Sequence, residues 1–198
     1  MEYETSPLSG YPGANCRTGT DTVFANVESA IWLNGAIYVF TKDIWSKTRN
    51  NCGQWQANHT VLFKIPLTEG STESNPITAE YIASFNMKVS DSDNGNYLLP
   101  LAAAISDDQK KVALTTGGRL WVFYNFTGNN FFSGNKTWYT YTDNGTVPVV
   151  RGFEGMDFSS NTRLHLSVDG VNGRVMSVDL PDTALSIDDF PGPKTQMP

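Results

Sequence analysis

The 198 residues predict an all-β chain built from many short strands. Three observations carry that expectation. Turn formers are abundant, with 17 Gly and 10 Pro. The apolar stretches are short and rich in β-branched and aromatic residues, which suits strands bounded by turns better than long helices. Finally, three segments repeat one layout: an apolar strand, a short polar turn, and two further strands.

The first unit opens with Glu28-Ser29-Ala30-Ile31-Trp32, turns at Leu33-Asn34-Gly35 and continues as Ala36 to Asp43. An Asn-Gly pair between apolar runs is a strong hairpin signal, because both residues tolerate positive φ. After a long loop comes Thr60 to Leu67, and an alternating outer strand follows at Ile77 to Phe85. The second unit runs Leu101 to Ile105, turns through Ser106-Asp107-Asp108-Gln109-Lys110, and continues as Lys111 to Thr116. Gly117-Gly118 then leads into Arg119 to Tyr124, with an outer strand at Trp138 to Thr142. A helix over 101–114 is the competing reading, since Ala and Lys are good helix formers. Ser106-Asp107-Asp108 would then fall in mid-helix, and the same layout recurs where no helix fits. The third unit is Glu154 to Phe158, the turn Ser159 to Thr162, Arg163 to Asp169, and Gly173 to Pro181.

A four-stranded unit repeated along a chain is the pattern of a β-propeller blade, so the expected architecture is a β-propeller or part of one, with about three to four blades. Residues 1–22 form an N-terminal segment, read as a possible outer strand of an incomplete blade; 23–182 hold the blades; 183–198 are a Pro-rich tail. Three blades would leave two open sheet faces and expose apolar surface. The chain is therefore expected to be completed by a further part of its own propeller or by another chain.

The phrases Ala104-Ile105-Ser106-Asp107-Asp108-Gln109-Lys110-Lys111-Val112-Ala113-Leu114 and Glu154-Gly155-Met156-Asp157-Phe158 resemble repeats of secreted β-propeller proteins. In those repeats a turn of the type Ser-Pro-Asp-Gly separates the innermost strand from the second. Asn26 to Ala30 together with Ile37 to Lys42 resembles blades written as an acidic residue, an apolar strand and a Tyr-Val/Phe-Thr-Lys strand. The similarity spans roughly residues 24–181 and is distantly similar to phytase-like and lactonase-like propellers. It implies a fold far more than a function, because propellers host many chemistries.

Composition narrows the function classes. The formal net charge is −6, from 14 Lys and Arg against 20 Asp and Glu, so no basic patch is available to neutralise a run of phosphates. The longest apolar run, Leu98 to Ile105, is eight residues and contains a proline, well short of the ~20 residues of a membrane span. Four N-glycosylation sequons begin at Asn58, Asn125, Asn135 and Asn144, about as many as chance placement supplies, but all lie in or beside polar, turn-rich stretches. Cys16 and Cys52 could close one disulfide, or remain two buried thiols. An extracellular location is the expectation, with any signal peptide lying outside this chain, since Met1-Glu2-Tyr3-Glu4 has no apolar core.

Four features could carry chemistry. Glu28 and Glu154 occupy the same place, just before the innermost strand of their units, where converging carboxylates could hold Ca²⁺. Leu101 stands there in the second unit, and pairing of the acids with Lys42 or Arg151 is the plainer role. Asp91-Ser92-Asp93-Asn94-Gly95-Asn96 resembles the start of a calcium loop, but Gly95 takes a ligand position and no Glu follows, so it reads as a solvated turn. His165 lies in a strand, where a hydrogen-bonded structural role is the default over a general base. The loop from Ile44 to Asn58 carries Trp45, Arg49 and Trp55 with several amides, a set suited to stacking on sugars or gripping a protein. Alternatively, both indoles pack the loop onto its own unit, with Cys52 tethered to Cys16. A second aromatic-rich insertion, Phe126 to Trp138, could serve similarly. The leading expectation is a secreted, non-catalytic module binding a glycan or an extracellular protein, without nucleic acid or a membrane span, and with no cofactor. The alternative is a Ca²⁺-dependent, phytase-like or lactonase-like hydrolase using Glu28 and Glu154.

Overall fold

Runs of β-branched and aromatic residues pair the strands into antiparallel meanders, with one face of the third sheet and both faces of the second buried. In the computed structural model the described residues are 23–46, 59–67, 77, 79–93, 98–143, 147–148, 152–168 and 173–181. β1 (Val23–Leu33), β2 (Ala36–Ser46), β3 (His59–Pro66) and β4 (Glu80–Asn86) form the first sheet in that order. β5 (Pro100–Ile105), β6 (Lys111–Thr116), β7 (Arg119–Tyr124) and β8 (Asn135–Thr140) form the second. A short ribbon of β9 (Thr142–Asp143) and β10 (Val147–Pro148) follows. The third sheet has three strands: β11 (Phe153–Phe158), β12 (Arg163–Val168) and β13 (Val175–Asp179). The fold is all-β, and among the described residues none of the sheets closes on itself.

The β1–β2 hairpin turns through Asn34 and Gly35, with φ of 49° and 76°, as the sequence predicts. In the β5–β6 turn the Ser106 side chain donates to Asp108 Oδ1 at 2.7 Å and accepts from Lys111 N at 3.0 Å. Gln109 there takes φ of 58°, the position that is Gly in the turn it resembles.

The first strands of the three sheets lie side by side, with β5 against both β1 and β11. Two cores result. Between the first and second sheets sit Ile31, Tyr38, Phe40, Leu62, Leu114, Trp121 and Phe123. Between the second and third sit Ala113, Val122, Phe153, Phe158, Leu164 and Leu166. Small Ala104 and Ala113 let the larger Phe158 and Leu164 approach, which fills the space at interior density. The turns are also joined: Asp108 N donates to Asn161 Oδ1 at 2.9 Å, and Lys111 Nζ to the Asn161 carbonyl at 3.0 Å.

The outer faces differ. On the first sheet, Val39, Val61 and Phe63 form a small apolar cluster on the face away from the second sheet. On the third, Asp157, His165 and Ser177 stand in one cross-strand row, flanked by Arg163, Ser167 and Asp179. Counted from the bulges described below, the corresponding rows are Ile31-Tyr38-Lys64 and Ala104-Ala113-Val122. The expectation of two apolar open faces is thus corrected: the far face of the third sheet is polar, because the residues that bury each preceding sheet give way to charged and hydroxyl side chains.

Candidate functional site

The first strand of each sheet carries a β-bulge, near the start in β5 and β11 and in mid-strand in β1. The register shifts fall between Val27 and Ser29 in β1, Pro100 and Ala102 in β5, and Phe153 and Gly155 in β11. The extra residues are Glu28, Leu101 and Glu154, the three positions the sequence places in correspondence. A bulge leaves one residue out of the ladder and turns its side chain away from the regular alternation. Glu28 and Glu154 are accordingly exposed, on the two strands that flank β5, while Leu101 is half-buried.

Both carboxylate oxygens of Glu28 accept from Lys42 Nζ, at 2.7 and 2.6 Å. Its charge is therefore already balanced within its own sheet. No group of three or more His, Cys, Asp or Glu residues close enough to share a metal ion occurs among the described residues.

The same end of the stack holds a buried ion pair that the sequence does not announce. Arg119, at the start of β7, donates from Nη1 and Nη2 to the two oxygens of Asp93, each at 2.7 Å. Asp93 also accepts from Val89 N at 2.7 Å, Ser90 N at 2.9 Å and the Ser90 hydroxyl at 3.1 Å. Burial pushes the Asp93 carboxyl up, but the Arg119 guanidinium and the Ser90 and Val89 amides outweigh it and hold the group far below the usual carboxylate range. Asp93 is thus a buried anchor tying the β4–β5 connection to the β6–β7 turn, not the solvated turn its sequence implies. The only sequence signal for this pair is a lone Arg following Gly117-Gly118 in a stretch otherwise without charge.

His165 hydrogen-bonds through Nδ1 to the Ser177 hydroxyl at 2.8 Å on the open face of the third sheet. Asp157, its cross-strand neighbour, accepts instead from Phe158 N at 2.9 Å, so the carboxylate is turned to the backbone and not to the imidazole. A histidine base needs an orienting acid on its second nitrogen and a site for the reacting group. The arrangement is that of a structural, hydrogen-bonded histidine.

The two aromatic insertions part company. Phe131 is fully buried, 5.2 Å from the Tyr38 ring and 6.2 Å from Phe40. Phe132 packs on Phe85 at 5.3 Å and Phe123 at 5.1 Å, and Trp138 lies 5.4 Å from Trp121. The aromatic rings from Phe126 to Trp138 thus pack into or against the core between two sheets, which corrects the expectation that they form a second binding loop. Trp45 falls within β2, its backbone opposite Phe24 at the end where the bulges lie. Arg49, Trp55, Cys16 and Cys52 lie outside the described residues.

No family model matches this chain, and no curated protein matches it closely enough to count as a relative.

Proposed function

We propose that the three sheets are blades of a propeller-type scaffold, and that the chain is an extracellular, non-catalytic binding module. It recognises a glycan or a protein through the aromatic link between β2 and β3. The observation that carries this reading is the length of that link. Twelve residues, 47–58, separate β2 from β3, whereas two, Gly117 and Gly118, join the corresponding strands β6 and β7. Two residues suffice to close an antiparallel hairpin, so the fold does not require the extra chain. Long connections in compact domains are where binding groups concentrate.

Chemistry supports the same reading. Trp45 is the penultimate residue of β2, and Arg49, Trp55 and five Asn or Gln residues follow within the link. Indole faces stack on the apolar faces of sugar rings or fill a partner's pockets, and guanidinium and amide groups bond hydroxyls and carbonyls. The competing aromatic stretch is already committed to the core.

The test is binding of the wild-type chain and of Trp45→Ala, Trp55→Ala and Arg49→Ala to an immobilised array of polysaccharides and to extracellular-matrix proteins. Loss of a central aromatic contact costs about 2 kcal/mol or more, roughly thirtyfold in affinity. Thermal melting of each variant separates lost contacts from lost fold. Unchanged binding by all three folded variants would overturn the proposal.

A further inference from the structure

Of the sequons whose asparagine is described, the fold opens one and closes the other. Asn125 follows β7 directly, is exposed, and takes φ of 55°, a left-handed conformation that Asn tolerates well. The residue after it, Phe126, turns inward and packs edge-on against Phe131 at 5.1 Å. Thr127 turns outward again and is exposed. Its amide donates to Ser133 Oγ at 3.1 Å, and Ser133 Oγ donates to the Asn130 carbonyl at 2.7 Å. The loop therefore presents the amide and the hydroxyl of the sequon to solvent, with the middle residue as its anchor.

The sequon at Asn135 has the opposite placement. Asn135 and Thr137 lie in β8, half-buried and paired with Tyr124 and Val122, and Val122 belongs to the core shared with the third sheet. There it is the middle residue, Lys136, that is exposed, its ammonium 5.4 Å from the Phe85 ring. At Asn58-His59-Thr60 the threonine hydroxyl is buried and donates to the Thr41 carbonyl at 3.0 Å.

We infer that Asn125 is an N-glycosylation site and that Asn135 is not. The transfer joins sugar C1 to Asn125 Nδ2 and breaks the C1–O bond to the pyrophosphate of a lipid-linked oligosaccharide donor. The lipid pyrophosphate leaves with the bonding electron pair, and the amide gives up one proton. A branched glycan is bulky and solvated, so a folded chain carries it only at a position where the surface leaves room. Asn125 sits at the end of the sheets that holds the β5–β6 turn, opposite the bulges. This inference rests on the extracellular reading.

The full chain, fused to a signal peptide and secreted from eukaryotic cells, is deglycosylated with peptide-N-glycosidase in ¹⁸O water. That treatment converts each glycosylated Asn into labelled Asp, which peptide mass spectrometry locates. Label on Asn125 in most molecules, none on Asn135, and loss of the Asn125 label in Thr127→Ala are expected. Asn125→Asp, which keeps the left-handed conformation accessible, is expected to be secreted without that glycan. Secreted, folded chain bare at Asn125, or labelled at Asn135, overturns the inference. Label on Asn125 beside unchanged binding by the loop variants leaves this inference standing and removes only the binding proposal.

Discussion

At Asp93 a carboxylate with almost no solvent contact is kept ionised by one guanidinium and two backbone amides. Removing one member of such a pair leaves the other charge buried and unbalanced, which typically costs about 3–5 kcal/mol. Asp93→Asn is expected to lose stability of that order in urea unfolding, whereas an apolar replacement of both Asp93 and Arg119 is expected to cost less. The pH dependence has a definite sign. The folded carboxyl titrates below its unfolded value, so the stabilisation is fully present above the unfolded value of about 3.9 and drains away as pH falls below it. The urea midpoint of the wild type is expected to fall between about pH 5 and pH 2 more steeply than that of Asp93→Asn. Equal slopes would mean that this carboxylate does not link folding to protons.

Among the elements, the three bulged strands and the aromatic plug position the rest. The bulges are interchangeable in place but not in side chain, and that difference puts an acid on two strands and Leu101 on the strand between them. The plug depends on a close backbone approach. A Cβ on Gly134 would fall against the Tyr124 carbonyl oxygen and the Phe126 amide, both backbone atoms that cannot rotate away. Gly134→Ala is therefore expected to destabilise by roughly 1–3 kcal/mol, and to release the Phe131 and Phe132 rings from the first core. Near-ultraviolet circular dichroism and thermal melting measure both effects; a variant with native melting and native aromatic signal would refute this role for the glycine.

For the whole molecule, burial is uneven across the stack. The second sheet is covered on both faces, by the first sheet on one side and the third on the other. Among the described residues the third sheet is covered on one face only, and β13 forms its outer edge, with Val175 73% exposed. Local opening follows buried apolar contact, so amides of β6 and β7 are expected to exchange hydrogen most slowly and those of β13 fastest. Uniform protection across the three sheets would contradict that gradient. On the first sheet, by contrast, Val39, Val61 and Phe63 are buried and Trp32 is exposed.

The sequence by itself determined most of the strands and turns, because these rest on local chemistry: alternation with period two, Asn34-Gly35 at positive φ, and hydroxyl and carboxylate residues in the Ser106 to Lys110 turn. It also placed Glu28, Leu101 and Glu154 in correspondence, and each sits at a register shift of its strand. Strand ends were less legible. β1 extends back to Val23, β4 begins at Glu80 and β8 at Asn135, because pairing partners and not composition set where a ladder starts. Only the tertiary structure decided which aromatic stretch is core, which Asp is buried, and which sheet face is wet. Phe131 meets Tyr38 across two sheets, and Asp93 meets Arg119 across 26 residues of chain. Contacts of that kind depend on how sheets stack, and no short window of sequence encodes the stacking.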